Sequence, residues 1–219
     1  MHDVLPRFES FARRTVRFRC KPPKLGPQVA SYPEIILKAM GTIPPPDARF
    51  EITVAHHLRA PASKWKLRTL RSLLGPCAPQ FEAFYAKHDG FILYKDPDSN
   101  TAALEAIEIG QWKKATKFMR GMMGELPPEL NPGGPLSAIA FAAPSSSGNF
   151  FVVSVSGAQA GKIFYANHED WNPKPFARSF NEFLERVMSE PIALFSKLGT
   201  TARYADKAGC IQWIPESVL

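Results

Sequence analysis

The sequence predicts an α+β fold in which helices flank an antiparallel β-sheet meander. Short β-prone runs follow one another with short polar turns between them, as neighbouring antiparallel strands do. Amphipathic helical segments come before and after these runs. The chain has 219 residues, of which 45% are hydrophobic, so it is long and apolar enough to bury a core.

The first 60 residues are predicted to form a basic N-terminal α/β extension that packs on the rest of the chain. Apolar side chains lie at helical spacing in one part of it and alternate with basic side chains in another. A Ser-x-x-Glu capping box marks a further helix start. The elements expected in order are a helix over residues 5–16, a strand over 16–21, a short helix from Ser31 to Gly41 and a half-buried strand over 50–54.

Residues 61–219 are predicted to form the main domain. A leucine stripe over residues 61–74 predicts its first helix. The segment 80–90 then places aromatic side chains at helical spacing, and Gly90 stands where a left-handed helix stop needs a residue without a side chain. The apolar run over residues 91–94 predicts a strand directly after this stop.

The rest of the main domain alternates between strand and helix signals. Its second capping box, formed by Ser179 and Glu182, opens the clearest amphipathic helix of the chain. The other elements expected are strands over residues 104–109, 136–143, 150–155, 162–166 and 209–214, a helix over 111–123 and a short helix from Pro191 towards Gly199.

The helix over residues 111–123 permits two interpretations. It aligns Trp112, Ala115, Met119 and Met122 at helical spacing, which favours core filling. Methionine also packs against varied partners, so a pliable recognition surface is the alternative.

Basic residues are concentrated in the N-terminal third. Residues 1–75 contain 14 Lys and Arg against 5 Asp and Glu, a net charge of +9, whereas residues 76–219 contain 13 against 15, a net of −2. A basic segment of this kind suits an anionic partner such as nucleic acid.

Cysteine usage and hydropathy exclude several classes of protein. Cys20, Cys77 and Cys210 are odd in number and far apart, so neither a disulfide framework nor a zinc site is indicated. No apolar run approaches the ~18 residues of a membrane span, and the N-terminus lacks the apolar stretch of a secretory signal. We therefore expect a cytoplasmic protein without a membrane partner. A transit peptide built on the arginines of residues 7–19 is the alternative, although Asp3 and Glu9 count against it.

Two blocks of the chain together resemble one family. The first runs from Leu70 to Gly90 and the second from Gly161 to Leu184. Their order and separation resemble the SUKH superfamily, specifically its SMI/KNR-like family. The residues that match the family's motifs are Gly75, Pro79, Phe84, Asp89 and Gly90 in the first block and Ala177, Ser179, Phe180, Phe183 and Leu184 in the second.

This resemblance covers about residues 61–188 and implies a scaffold for binding proteins. The family includes bacterial immunity proteins that neutralise polymorphic toxins and a fungal regulator of cell-wall synthesis. It implies no cofactor and no catalytic residues. The first 60 residues have no counterpart in the family, and their basic character differs from the acidic surface expected of an inhibitor that covers a cationic nuclease.

The first functional hypothesis is therefore a non-enzymatic protein-binding module, an immunity protein that occludes a toxin domain. Exposed residues near the matched motifs are the candidates for contact, with Trp171 as the anchor because aromatic side chains dominate interface energies. The predicted partner-binding residues are Asp89, Tyr94, His168, Glu169, Asp170 and Trp171.

Two further hypotheses belong to other classes. A nucleic-acid or anionic-surface binder would use cations near Trp65, namely Arg59, Lys64, Lys66, Arg68 and Arg71, together with those between Arg13 and Lys24. An enzyme or metal site would need His88 and His168, each followed by a carboxylate, to converge in one pocket.

Overall fold

The computed structural model describes residues 4–22, 45–98, 102–123, 137–144, 147–168, 172–192, 194, 204–207 and 213–219. Within these ranges, five helices and one eight-stranded sheet confirm the predicted α+β class. The helices are α1 (Val4–Ala12), α2 (Lys64–Leu74), α3 (Pro79–Tyr85), α4 (Trp112–Met123) and α5 (Phe180–Ser189). The strands are β1 (Val16–Lys21), β2 (Phe50–Leu58), β3 (Phe91–Lys95), β4 (Leu104–Ala106), β5 (Ala138–Pro144), β6 (Phe150–Ser154), β7 (Ile163–Ala166) and β8 (Ile214–Val218).

The sheet is an antiparallel meander with one strand added out of sequence. Its order is β7-β6-β5-β4-β3-β2-β1-β8, and every neighbouring pair is antiparallel. The last strand, β8, therefore pairs with the first. Its position differs from the predicted strand over residues 209–214, because pairing with β1 rather than local composition sets where it lies.

The N-terminal segment belongs to this sheet. The predicted helix and strand are present as α1 and β1, and β1 lies between β2 and β8. The boundary predicted at residue 60 falls between β2 and β3, which pair directly. The helix predicted from Ser31 to Gly41 lies outside the described residues.

The aromatic helix starts as predicted but stops earlier. Helix α3 begins at Pro79 and ends at Tyr85, so Gly90 is not its stop. Gly90 has a φ of 102°, and a Cβ placed there would lie 2.2 Å from the carbonyl oxygen of Ala106. The glycine instead lets the chain enter β3 close against β4.

The sheet has a core on each face. Side chains alternate along β5 and β6, so that Phe141 and Phe151 face the larger core while Ala140 and Val152 face the smaller one. Helices α1, α3 and α5 supply phenylalanines to the larger core, and Met119 of α4 covers the smaller one. The strands in the middle of this region are thus buried on both faces.

Two other predictions are confirmed with altered bounds. The N-cap of α5 forms as predicted, since Ser179 Oγ accepts a hydrogen bond from the Glu182 amide at 3.2 Å. The Glu182 carboxylate accepts in return from the Arg178 amide, at 2.8 Å, rather than from the Ser179 amide. The predicted strand over residues 104–109 stops at Ala106, because the chain turns into a 3-10 helix, Ile109–Gln111, that leads into α4.

Candidate functional site

Asp89 lies inside the protein and fastens three segments together. Only 4% of it is exposed. Its Oδ1 accepts a hydrogen bond from the Ile109 amide at 3.0 Å, and its Oδ2 forms an ion pair with Lys66 Nζ of α2. The expectation that Asp89 is an exposed contact residue is wrong, because protein groups already occupy its carboxylate.

Arg59 and Lys66 belong to the same network. Arg59 pairs with Glu105 and, at 3.0 Å, with Glu108, and Lys66 Nζ lies 3.0 Å from the same Glu108 carboxylate. The hydrogen bond to Asp89 raises the pKa of Lys66, while the hydrogen bond from Lys66 lowers the pKa of Glu108. These two cations of the predicted anion-binding patch are therefore neutralised by carboxylates.

Arg71, a third cation of that patch, is paired as well. It forms a salt bridge with Glu82 of α3, and this hydrogen bond raises the pKa of Arg71. Of the five cations in the patch, Lys64 and Arg68 alone have no ion pair within the described residues.

Tyr94 is fully buried, so the expectation that it is exposed is also wrong. Its hydroxyl donates to the Val187 carbonyl at 2.6 Å, and its own carbonyl accepts from the Tyr204 hydroxyl at 2.8 Å. Simple alternation after Phe91 and Leu93 would turn Tyr94 outward. A register shift in the β2–β3 pairing and a φ of 55° at Tyr94 turn it towards the core instead.

His56 is a half-buried, neutral side chain that contacts Tyr94. Its Nδ1 accepts a hydrogen bond from the Tyr94 amide at 3.0 Å, and its ring stacks on Phe11 with centroids 4.5 Å apart. Its Nε2 is buried without a hydrogen-bond partner in the described part of the chain. Burial lowers the pKa of His56 to about 4, so it adds no positive charge at neutral pH.

His88 and His168 do not share a site. His88 Nε2 lies 3.0 Å from Glu9 Oε1, whereas His168 Nδ1 lies 2.7 Å from Asn149 Oδ1. His88 precedes β3 and His168 follows β7, and four strand spacings of about 4.8 Å separate these strands by roughly 19 Å. The hypothesis of a paired histidine site is therefore wrong.

The described residues contain neither a cluster of metal ligands nor an exposed thiol. No group of three or more His, Cys, Asp or Glu side chains is placed to hold a metal ion within the described segments. Cys20 and Cys77 are buried free thiols, and burial raises the pKa of Cys20 to about 12. Cys210 lies outside the described ranges.

His168 stands beside α4 at the surface. Its backbone amide donates to Asn149 Oδ1 at 3.1 Å, and Asn149 Nδ2 donates to the Tyr165 hydroxyl at 2.9 Å. Gly148 lies between His168 and α4. A Cβ placed at Gly148 would lie 3.5 Å from His168 Cε1 and 3.4 Å from Met122 Cε. The other residues predicted in this loop, Glu169, Asp170 and Trp171, lie outside the described residues.

Helix α4 exposes two large apolar side chains next to this histidine. Phe118 is 56% exposed and Met122 is 42% exposed, and their i, i+4 spacing puts them on one stripe of the helix. The Phe118 ring meets the edge of Phe150 with centroids 6.0 Å apart. We call Phe118, Met122 and His168 the α4 surface. Core filling is therefore confirmed for Trp112 and Met119 and wrong for Met122.

Helix α4 carries three exposed lysines besides this stripe. Lys113, Lys114 and Lys117 are exposed and form no ion pair with other residues that the structure describes. Averaging over residues 76–219 gives a net negative charge and hides them. Lys113 and Lys117 lie outside the apolar stripe of α4, so helical spacing alone places them at the surface.

Compared with known proteins, the chain matches no protein-family model and no curated protein sequence. The resemblance to the SUKH superfamily therefore stays a prediction. Among the helices of the described ranges, none is long and apolar enough to cross a membrane.

Proposed function

We propose that this protein is a non-enzymatic protein-binding module that contacts its partner through the α4 surface. The observation that carries the proposal is the exposed pair Phe118 and Met122. Most phenylalanines of the described ranges are buried in the two cores, so a large apolar stripe left in solvent is the exception on this molecule. Exposed apolar stripes of this kind mark protein contacts, and methionine adapts its shape to a partner.

The surroundings of the stripe suit an interface. Phe118 rests on Phe150, so its ring is supported from below and can act as an anchor. Lys114, one helical turn before Phe118, and His168, close to Met122, are polar neighbours of the stripe. Apolar centres with polar margins are the usual anatomy of protein interfaces.

The nucleic-acid alternative receives less support, because most of its proposed cations are paired. Arg17 and Arg19 of β1 both contact Glu51. Lys21 and Arg49 both contact Glu216. Carboxylates that hold these cations compete with phosphate for them, which weakens the contacts that dominate nucleic-acid affinity.

The narrower proposal is an immunity protein that occludes a toxin domain in the cytoplasm. It rests on the resemblance of the Leu70–Gly90 and Gly161–Leu184 blocks to the SMI/KNR-like family. Phe84, Phe180 and Phe183 of these blocks lie in the larger core, so the matched motif residues support the scaffold.

An affinity purification from lysate of the natural source tests the proposal. It is run with nuclease at about 0.15 M salt, with the wild-type protein beside F118D/M122D. Both substitutions are at exposed positions, so the fold should persist. We expect wild type to recover one protein in near-stoichiometric amount and the double variant to lose it.

The control is R13Q/R14Q, which changes the net charge by the same amount at two exposed arginines. It should recover the same protein as wild type. Equal recovery by F118D/M122D would contradict the proposed surface. Recovery of only nucleic-acid-associated proteins, seen in a parallel run without nuclease and lost with nuclease or with R13Q/R14Q, would instead favour the basic N-terminal third.

A further inference from the structure

Helix α2 has an outer face that no other described segment covers. Ser63 caps the helix, since its Oγ accepts a hydrogen bond from the Lys66 amide at 3.3 Å, and Leu70 and Leu74 bury the inner side. On the opposite side, Trp65 is 66% exposed, the highest value among the large apolar side chains of the described ranges. An exposed indole of this size offers a large apolar face against which the side chain of a partner can pack.

Two cations without ion pairs stand beside Trp65. Lys64 and Arg68 are one helical turn apart, and Arg68 is also three residues from Trp65, so the three side chains share one side of the helix. Both cations are exposed and neither meets a carboxylate in the described ranges. The remaining cations of α2, Lys66 and Arg71, are held by acidic residues. We call Lys64, Trp65 and Arg68 the α2 face.

We propose that the α2 face is a second binding site, separate from the α4 surface, that holds an acidic segment of another polypeptide. The indole of Trp65 packs against an apolar side chain of that segment. Lys64 and Arg68 contact carboxylates on either side of it, and the guanidinium of Arg68 can hold one carboxylate through two parallel hydrogen bonds.

The number of free charges favours a polypeptide over other anionic ligands. Proteins that bind nucleic acid firmly make about 6–10 phosphate contacts, and basic sites for anionic membranes gather about 4–8 Lys or Arg. The α2 face offers two. A single exposed tryptophan next to an arginine matches the composition of the few residues that carry most of the energy in protein interfaces.

Selection from a phage-displayed library of random peptides tests this inference without knowledge of the natural partner. The full chain is immobilised, and the selected peptides are synthesised and titrated against wild type, W65A and K64Q/R68Q at about 0.15 M salt. We expect peptides rich in Asp and Glu around an apolar residue. Their affinity should fall at least about 10-fold in W65A, because loss of an anchor side chain has at least this effect.

K64Q/R68Q should weaken binding and reduce its dependence on salt, since it removes the charged contacts. F118A is the matched control: it removes an exposed aromatic ring from the other surface, and it should leave the peptide affinity unchanged. The substituted positions are exposed, so circular dichroism should show an unaltered fold for every variant.

Three results would overturn the assignment. They are failure to select any peptide, selected peptides without acidic residues, and peptides that bind W65A as well as wild type. Single-stranded DNA or phosphatidylserine vesicles that bind wild type and not W65A would also overturn it, by assigning the face to phosphate. None of these results depends on the α4 surface, which the affinity purification with F118D/M122D tests. Failure of the α2-face proposal is therefore distinguishable from failure of the proposed function.

Discussion

Asp89 joins the helix α2, the entry to β3 and the 3-10 turn before α4 through one buried carboxylate. Replacing it with alanine leaves the Ile109 amide without an acceptor and Lys66 with Glu108 as its remaining acid. We expect D89A to lower the free energy of unfolding by about 2–4 kcal/mol, as loss of one partner from a buried pair does. Urea denaturation measures this change.

Two variants make this prediction specific. D89N keeps an oxygen that can accept from Ile109 and should be less destabilising than D89A. E82A breaks an exposed pair with Arg71 and should change stability much less than either. Equal effects of D89A and E82A would contradict the central role of Asp89.

His56 gives stability a defined dependence on pH. Its pKa is lowered to about 4 in the folded protein, below the value of about 6.5 expected in the unfolded chain. As pH falls below about 6.5, the unfolded chain takes up the proton first, so stability decreases until pH reaches about 4. We expect His56 to account for a loss of about 3 kcal/mol over this window.

The comparison of wild type with H56N isolates this contribution. Asparagine can still accept the Tyr94 amide hydrogen but does not titrate, so the stability difference between the two proteins should shrink or reverse as pH falls from 7 to 4. H57N, at an exposed neighbouring histidine, should follow wild type. Titration of the His56 ring near pH 6.5 by NMR would contradict the prediction.

The burial of single residues was the least predictable feature. Asp89 belongs to the first matched block and Tyr94 follows that block, and local sequence favours a polar turn and an alternating strand there. Their burial depends on partners distant in sequence, such as Lys66 for Asp89 and Val187 for Tyr94. The exposure of Phe118 was equally hard to predict, because helical spacing alone cannot show which stripe of α4 meets the sheet.

The close approach of β3 to β4 depends on Gly90. G90A would place a methyl group 2.2 Å from the Ala106 carbonyl oxygen at a φ of 102°. We expect a loss of about 2 kcal/mol or more in unfolding free energy. G121A is the matched control, because Gly121 lies within α4 with nothing within 4 Å of an added Cβ. It should stabilise the protein by about 0.5–1 kcal/mol, and thermal unfolding of both variants tests the contrast.

Whole elements were predicted best where their signals are local. The apolar spacing of α1 and the N-cap serine of α5 are contained in a few adjacent residues. Both helices start close to where expected, although α1 ends at Ala12 rather than at residue 16. The end of β4 and the position of β8 depend on strand pairing and the turn before α4, which explains their shifted bounds.

At the scale of the whole molecule, the first and last strands in sequence, β1 and β8, pair with each other. Strand β1 pairs with both β2 and β8, and α1 packs against α5. A variant that lacks residues 1–60 loses β1 and β2 and leaves β8 without its neighbour. We expect this variant to lack a cooperative thermal transition, as measured by circular dichroism. A sharp transition with native-like NMR dispersion would show that residues 61–219 fold alone.

The α+β class follows from the order of strand and helix signals, whereas the candidate surfaces required the structure. Composition placed the basic character in the N-terminal third, but ion pairs hold most of those cations in the described ranges. The cations without pairs next to exposed apolar rings lie on α2 and α4. Composition counts charged residues but does not show which of them form ion pairs. The sequence alone therefore could not distinguish the paired cations from the unpaired ones.

Amide hydrogen exchange, with and without the protein captured from lysate, tests the proposed binding function most directly. The partner should slow exchange in α4, residues 112–123, and in β7 and the residues that follow it to His168. The F118D/M122D variant should show no such change. Protection confined to other parts of the sheet, or equal protection in the variant, would contradict the account.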